Sequence, residues 1–348
     1  GYAMGLFGDE LYTDHGKTIT DEQLNKMTQV VADKLALLGV EQREADDTGL
    51  VLDTTRGGVL NALYQEAAAY AFPGVEEGPE AFMTEVGAIA GDGTGLNLDR
   101  PCTLLEGAAM ANSLILNLYD QQNAGSLGLL WKAEGNGNTL YLLGSIHTDV
   151  NNTYPIHKQL RDIILNAEQV TFELDFNDQA QIAEFAAMQY QVVVETAAQM
   201  GMDEQTIAQY KAWALANSFS SLATMDETTS SNAMAIDMYV NAKAVNAGIA
   251  IDAVETYAFQ GGIFDGLSPE YQEVYLARGL LMILDPDSMS QQTKDALTAV
   301  LGEEAFEPAT QEALQEEVAQ IGAMMDTWKS RDVESFDQIY DKDSILNS

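Results

Sequence analysis

The residues best suited to chemistry are one histidine and two carboxylates, which accompany apolar runs in the second half of the chain. The segment Gly144 to His147 comes directly after the apolar run at residues 139–143. Glu173 and Asp175 lie near the end of a second apolar run. An imidazole together with one or two carboxylates can hold a divalent metal ion, or it can act as a general acid and base pair. The pattern therefore predicts a polar site built on His147 and Glu173.

Two predicted strands and the helix between them would bring these side chains together. Residues 139–143 and 169–176 have the composition of buried strands, and residues 154–167 have helical periodicity. A strand, a helix and a strand of this length form a βαβ unit, so we expect parallel neighbouring strands joined by a right-handed crossover. Because ligands bind beyond the carboxyl ends of parallel strands, His147 and Glu173 should face one crevice. Asp175 would share the face of Glu173, since side chains alternate along a strand.

A third predicted strand completes the fold class of this half. Residues 233–247 have helical periodicity, and Gly248 suits the left-handed conformation that often ends a helix. Residues 249–254 then form another apolar run of strand length. The second half is therefore predicted to be an α/β domain with a mixed or parallel sheet.

A helical insertion is predicted between these strands, at residues 178–229. Its methionines either fill a core or line a flexible substrate groove, and these are Met188, Met200 and Met202. The tail at residues 306–339 is predicted to be helical too, with Trp328 as an anchor.

The first 120 residues have the pattern of a mostly α-helical domain. Apolar residues recur at intervals of three and four in three stretches, at residues 20–38, 60–71 and 104–118. Thr20 is the expected N-cap of the first helix. The small polar residues at 121–128 interrupt the periodicity as linkers do. We therefore expect a helical domain at 1–120, a linker at 121–128 and the α/β domain at 129–348.

Composition excludes several classes of partner. The 348 residues include 54 acidic and 16 basic side chains, and a net charge of -38 repels nucleic acids and anionic membrane surfaces. At 46% hydrophobic residues the chain can bury two cores. Cys102 is the one cysteine, so the chain cannot form an internal disulfide. No apolar run reaches the ~18 residues of a membrane-spanning helix.

The N-terminal half carries short motifs that resemble S-layer homology repeats. The turn Gly91 to Gly95 precedes a helix opened by Thr103, and Thr55-Arg56 and Thr20-Asp21 look like further helix starts. Three such units would cover residues 10–118. The resemblance implies binding of an anionic cell-wall polymer and an exported or cell-surface location. Only Arg56 stands where that family has its arginine, and the acidic charge opposes such a ligand, so a helical packing domain is the alternative.

The second half resembles the TraB/GumN family, which includes the Tiki peptidases. The matching segments follow one another in order over residues 129–272: Leu130-Trp131-Lys132, Asn138 to His147, Tyr154-Pro155, Glu173-Leu174-Asp175, Asp237 with Tyr239, Val254-Glu255-Thr256, Gln260, and Phe264 to Leu267. The resemblance implies a metal-dependent hydrolase of the peptidase type. Its ligands would be His147, Glu173 and Asp175, supported by Gly144, Ser145 and Glu255.

The resemblance is incomplete in one respect, because family members of the Tiki kind supply a second histidine from a second Gly-x-x-His motif. His15 and His157 have a tyrosine instead of glycine three places earlier. We interpret His15 as a turn residue and His157 as a surface or capping residue. The α/β domain is therefore expected to be incomplete at its C-terminus or to have lost half of the site. Without a second imidazole we expect weak, oxygen-rich metal binding.

Two functions remain open at this point. One is a hydrolase that acts on a peptide or small-molecule substrate, and the other is a non-catalytic cell-surface or binding protein that retains the fold.

Overall fold

The computed structural model describes residues 2–44, 49–91, 93–146, 153–188, 211–223, 235–284, 289–306 and 311–339. The chain divides into two compact units that interleave along the sequence. The first unit comprises Gly1–Asn166, Ser230–Lys243 and Glu317–Ser348, and the second comprises Ala167–Thr229 and Ala244–Glu316. The domain boundaries expected from sequence stay a prediction.

The N-terminal part of the first unit is helical, as predicted. Its helices are α1 (Glu10–Thr13), α2 (Asp21–Ala36), α3 (Arg56–Ala68), α4 (Pro79–Glu85) and α5 (Leu104–Gln121), with short 3-10 turns at Tyr2–Met4 and Val75–Glu77. Apolar side chains from α2, α3 and α5 form the core, among them Met27, Val31, Leu60, Leu63, Leu114 and Ile115, which are fully buried. The three periodic stretches of the sequence are therefore the three main helices.

Three threonines begin these helices. The hydroxyl oxygens of Thr20, Thr55 and Thr103 accept hydrogen bonds from the backbone N–H groups three residues ahead. Such caps satisfy donors that the first helical turn leaves without partners. The predicted helix starts are confirmed, whereas the relation to S-layer homology repeats stays a prediction.

Glu106, in the first turn of α5, carries a cluster of charge-assisted contacts. Its carboxylate accepts from the backbone N–H of Thr103 at 3.1 Å and from Arg100 Nη1 at 2.9 Å, and Arg56 Nη1 lies 3.4 Å away. The Arg100 hydrogen bond is the largest cause that lowers the Glu106 pKa from 4.5 to about 2. The folded state therefore favours the ionised carboxylate.

We expect Glu106→Gln to lower the free energy of unfolding by about 1–2 kcal/mol at neutral pH, because glutamine cannot form these ion pairs. A lowered folded-state pKa adds stability that is complete above pH 4.5 and is lost as the pH falls towards about 2. Urea unfolding measures the difference in the free energy of unfolding between wild type and variant. This difference should be smaller at about pH 2 than at neutral pH. Glu80→Gln, in the first turn of α4, is the control. A difference that stays constant down to about pH 2 would contradict the lowered pKa of Glu106.

A hairpin follows the helical part. Strand β1 (Leu130–Gly135) pairs antiparallel with β2 (Asn138–Leu143), and Leu130 lies opposite Leu143. Asn136 and Gly137 connect them with φ angles of 51° and 83°, which is the backbone of a tight two-residue hairpin turn. The prediction that β2 pairs with a parallel neighbour from residues 170–174 is wrong for the described strands, in which β2 pairs with β1. The Asn-Gly turn joins β1 directly to β2, and this is the physical reason why these two strands pair with each other.

Further helices complete the first unit. They are α6 (Lys158–Leu165), most of α9 (Ile236–Ala247), most of α13 (Gln311–Ser330) and α14 (Val333–Ile339). Trp328 of α13 is buried, with 1% of its surface exposed, so it is the anchor that the sequence predicted.

The second unit contains a parallel strand pair and helices. Strand β3 (Gln169–Phe172) pairs in parallel with β4 (Ala250–Ala253), and Gln169 lies opposite Ala250. Gly248 precedes β4 with a φ of 68°, as its capping role requires. The predicted third strand is confirmed. The other predicted strand is shorter than expected, because β3 ends at Phe172.

The helices of this unit pack on one another through small and aromatic side chains. They are α7 (Gln179–Met188), α8 (Ala212–Ala223), α10 (Tyr257–Asp265), α11 (Pro269–Ile283) and α12 (Gln291–Leu301), followed by a 3-10 turn at Glu303–Phe306. A core between α8, α11 and α12 includes Ala216, Phe219, Leu276, Leu280 and Leu297. Met200 and Met202 lie outside the described residues, and the groove hypothesis stays a prediction.

The combination of helices with strand pairs, after a mostly helical N-terminal region, confirms the α/β class. Among the helices that the structure describes, none has both the length and the apolar character needed to cross a membrane.

Candidate active site

Two glutamates follow the carboxyl ends of the parallel strands. Glu173 comes directly after β3, and Glu255 comes two residues after the end of β4. The backbone N–H of Glu255 donates to the carbonyl of Glu173 at 3.0 Å, which continues the ladder beyond the strands. Both side chains therefore leave the sheet at the edge where parallel strands bind ligands.

Gln260 joins these two carboxylates. Thr256 caps α10 by accepting from the backbone N–H of Phe259 at 3.1 Å, which places Gln260 on the first turn. Gln260 Nε2 donates to Glu173 Oε1 at 2.6 Å and to Glu255 Oε2 at 3.1 Å. Both carboxylates therefore converge on one amide donor. The sequence marked Gln260 only as a matching residue, because no local pattern shows which side chains a folded helix will bring to a strand end.

The Gly-x-x-His segment is held from two sides. The carbonyl of Gly144 accepts from the indole Nε1 of Trp328 at 2.9 Å, and Ser145 Oγ donates to Asp237 Oδ2 at 2.6 Å. Ile146 is buried. These contacts fix the three residues that precede His147. His147 itself lies outside the described residues, so its proximity to Glu173 stays a prediction.

Gly144 packs closely against Leu129. Its N–H donates to the carbonyl of Leu129 at 2.8 Å, and a Cβ at this position would lie 3.3 Å from Leu129 Cβ. The sequence argument that this glycine lets the chain leave the strand closely agrees with this packing.

A model of the TraB/PrgY/gumN family matches residues 129–346. The chain belongs to this family. The match contains the Gly144–Ile146 segment, Glu173, Glu255 and Gln260, so the geometry described above is that of the TraB/PrgY/gumN region. Searches of the curated proteins and of the solved structures returned no match.

Asp175 organises a turn in the TraB/PrgY/gumN region. Its Oδ1 accepts from the backbone N–H of Asn177 at 2.8 Å, and Asp178 Oδ1 then accepts from the backbone N–H groups of Ala180 and Gln181 at 3.0 Å. Because β3 ends at Phe172, the expectation that Glu173 and Asp175 alternate within a strand is wrong. The local Asp-x-Asn turn competes with continued strand structure. The ligand role of Asp175 stays a prediction.

The other two histidines have structural roles. His157 is the N-cap of α6, where its Nδ1 accepts from the backbone N–H of Gln159 at 3.1 Å. Its capping role is confirmed, and it is 9% exposed rather than on the surface. His15 lies in a turn, as expected.

Two carboxylates lie together in the described part of the TraB/PrgY/gumN region. Within the residues that the structure describes, no group of three His, Cys, Asp or Glu side chains could hold a metal ion. Glu173 and Glu255 do converge on one point, and carboxylate oxygens suit hard divalent ions. A metal site at this pair stays a prediction.

Proposed function

We propose that the chain is a metal-dependent hydrolase of the peptidase type, acting on a peptide or small-molecule substrate. The observation that carries the proposal is the pair of carboxylates, Glu173 and Glu255, which share the amide of Gln260 at the carboxyl edge of the β3–β4 pair. Family membership adds to it, since residues 129–346 match one family model.

Glu173 would be the reacting carboxylate. Its side chain is exposed, so substrate and water can reach it. Gln260 donates to Oε1, which orients the carboxylate and leaves Oε2 to accept a proton from water or to contact a cation. Glu255, which is less exposed, would hold Gln260 in place through the second hydrogen bond. A bound divalent ion would supply a water of lowered pKa at such a site.

His147 and Asp175 would be the further ligands. The hydrogen bonds of Gly144 to Trp328 and of Ser145 to Asp237 restrain the backbone that leads to His147, which is the support a ligand needs. One imidazole among carboxylates gives an oxygen-rich site. Such a site binds zinc less tightly than a site with two or three imidazoles.

Metal titration tests this site directly. We expect the wild type to bind manganese, cobalt or zinc with a dissociation constant on the order of 10⁻⁴ M, as open oxygen-rich sites do. His147→Ala should abolish the binding, because the imidazole is the one nitrogen ligand of the proposed set. Calorimetric titration measures it, with His15→Ala as the control that removes an exposed turn histidine. Tight zinc binding that survives His147→Ala would exclude the proposed site.

The alternative is a non-catalytic surface or binding protein, exported or attached to the cell surface. The printed sequence contains one Gly-x-x-His motif, at Gly144 to His147, and this feature keeps the alternative open. Binding of an anionic cell-wall polymer through Arg56 has less support. The Arg56 side chain is 12% exposed and donates to the carbonyls of Leu96 and Ala90, with Glu106 beside it. A polymer would have to displace these internal partners.

A further inference from the structure

The helix α10 buries one side and leaves an apolar side exposed to solvent. On the buried side, Gly261 lies in the core and Phe264 stacks on Trp213 of α8, with the ring centres 5.0 Å apart. On the opposite side, Phe259 is 58% exposed and Ile263 is 55% exposed. A surface helix usually presents charged or polar residues to water. Here two large apolar side chains take that place.

This exposed pair borders the amide that joins the two carboxylates. Phe259 and Ile263 are four residues apart, so they lie one turn apart on the same face of α10. Gln260 precedes Ile263 by three residues, which makes these two neighbours as well, with Cβ atoms ~5–6 Å apart. Gln260 Nε2 lies 2.6 Å from Glu173 Oε1 and 3.1 Å from Glu255 Oε2. A single side chain, that of Gln260, therefore separates the apolar pair from the carboxylates.

The surface around the pair is open to a ligand. Gly262 is exposed on the same side of α10, and a Cβ at this position would have no neighbour within 4 Å. The Glu173 side chain is exposed as well. Solvent, and therefore a bound molecule, can reach both the apolar pair and this carboxylate. Phe259, Gly262 and Ile263 are together called the apolar shelf below.

The area of the apolar shelf fits a side chain of a ligand better than it fits a second protein. Somewhat over half of the Phe259 and Ile263 side chains is exposed, which amounts to roughly 200 Å² of apolar surface. A stable contact between two proteins covers ~800 Å² on each partner. The net charge of -38 also opposes association of two copies of the chain. One apolar side chain of a bound peptide has the matching size.

We propose that the apolar shelf binds a large apolar side chain of a peptide substrate, beside the bond that is hydrolysed. The proposal rests on the hydrolase function proposed above and names its substrate class. Contact with the shelf removes apolar surface of both the peptide and the protein from water, which favours leucine, methionine or phenylalanine over small polar residues. The shelf residues carry no charge, so they select by apolar contact in a chain whose net charge repels acidic peptides.

Hydrolysis of matched peptides tests the apolar shelf. The probes are N-acetylated, C-amidated peptides of glycine and alanine that carry one leucine or one serine at the same position, so neither is charged. We expect the wild type to cleave the leucine peptide with roughly tenfold higher kcat/KM, because burial of about two methylene groups gives such a factor. Phe259→Ser and Ile263→Ser should each remove most of this preference, and Phe259→Leu should keep it. Met282→Ser, which replaces a 58% exposed residue of α11, is the control.

Binding measurements separate the shelf from the hydrolase function. Calorimetric titration of the Glu173→Gln variant with both peptides measures affinity while turnover is slowed, and circular dichroism establishes that each variant is folded. A leucine preference in binding that Phe259→Ser removes, without hydrolysis by the wild type, would support the shelf and refute the hydrolase. Equal kcat/KM for the two peptides would overturn the shelf and leave the hydrolase standing.

Three further results would overturn the shelf. One is a leucine preference that survives both Phe259→Ser and Ile263→Ser. Another is the absence of both hydrolysis and binding of either peptide at millimolar concentration. The third concerns a second copy of the chain as the occupant, and light scattering measures it. A wild-type dimer that dissociates in the Phe259→Ser variant would assign the exposed side of α10 to self-association.

Discussion

Gly58→Ala is expected to destabilise the first unit by about 3 kcal/mol or more, which is at the upper end for overpacking. Gly58 is the third residue of α3, and its N–H donates to the capping hydroxyl of Thr55 at 3.0 Å. A Cβ there would lie 2.5 Å from the backbone nitrogen of Asp53 and closer still to its carbonyl and carboxylate oxygens. Asp53 cannot retreat cheaply, because it accepts from the Thr55 N–H at 2.9 Å.

Thermal and urea unfolding followed by circular dichroism measure this effect. Gly262→Ala is the matched control, since Gly262 lies within α10 and a Cβ there would have no neighbour within 4 Å. Alanine in a helix interior is about 0.5–1 kcal/mol better than glycine, so the control should be neutral or stabilising. If the two variants have the same free energy of unfolding, Asp53 does not pack tightly against the start of α3.

Glu173→Gln is expected to lower peptide hydrolysis by roughly 10²–10⁴-fold, the range attributed to a positioned general acid or base. Glutamine keeps the size of the side chain but cannot accept a proton or carry the negative charge that a cation needs. Gln260 donates to Glu173 Oε1, so a glutamine oxygen can still accept that bond and the fold should be preserved. The measurement is kcat/KM in the presence of manganese or cobalt.

Two other carboxylates provide the comparison. Glu168→Gln removes an exposed carboxylate just before β3, and it should leave the rate within about threefold of wild type, as surface charges usually do. Glu255→Gln should have an intermediate effect, because Glu255 contacts Gln260 and acts on Glu173 only through it. Equal losses in Glu168→Gln and Glu173→Gln would show that net charge, not a positioned carboxylate, controls the rate.

Sequence predicted the helix starts and ends that depend on residues close to one another in the chain. The threonine caps of α2, α3 and α5 depend on a side chain and an N–H three residues away, and both are visible in sequence. The same holds for Gly248 before β4. Capping and periodicity act within one or two turns, so their outcome depends little on the rest of the fold.

Features that depend on distant residues were not predicted. The parallel partner of β3 is β4, about eighty residues away, and the apolar run of β2 was assigned to the same sheet although an Asn-Gly turn precedes it. An Asn-Gly pair between two apolar runs is a strong hairpin signal, and here it decides the pairing of β2. Gln260 became part of the site through contacts that only the folded strand pair creates. Sequence singled out Glu173 and Glu255 and gave Gln260 as a matching residue, but it could not show that Gln260 contacts both carboxylates.

The buried side chain of Lys34 bears on how this protein could have been assembled in evolution. Its Nζ donates to the carbonyl of Tyr154 at 2.8 Å, and the hydroxyl of Tyr119 donates to the carbonyl of Lys34 at 2.7 Å. Arg161 likewise takes Asp120 as its partner. Residues before position 129 thus satisfy polar groups that belong to the family region. Recombination that exchanged the leading helices for another module would leave those groups buried and unbonded, so the two segments are expected to be inherited together.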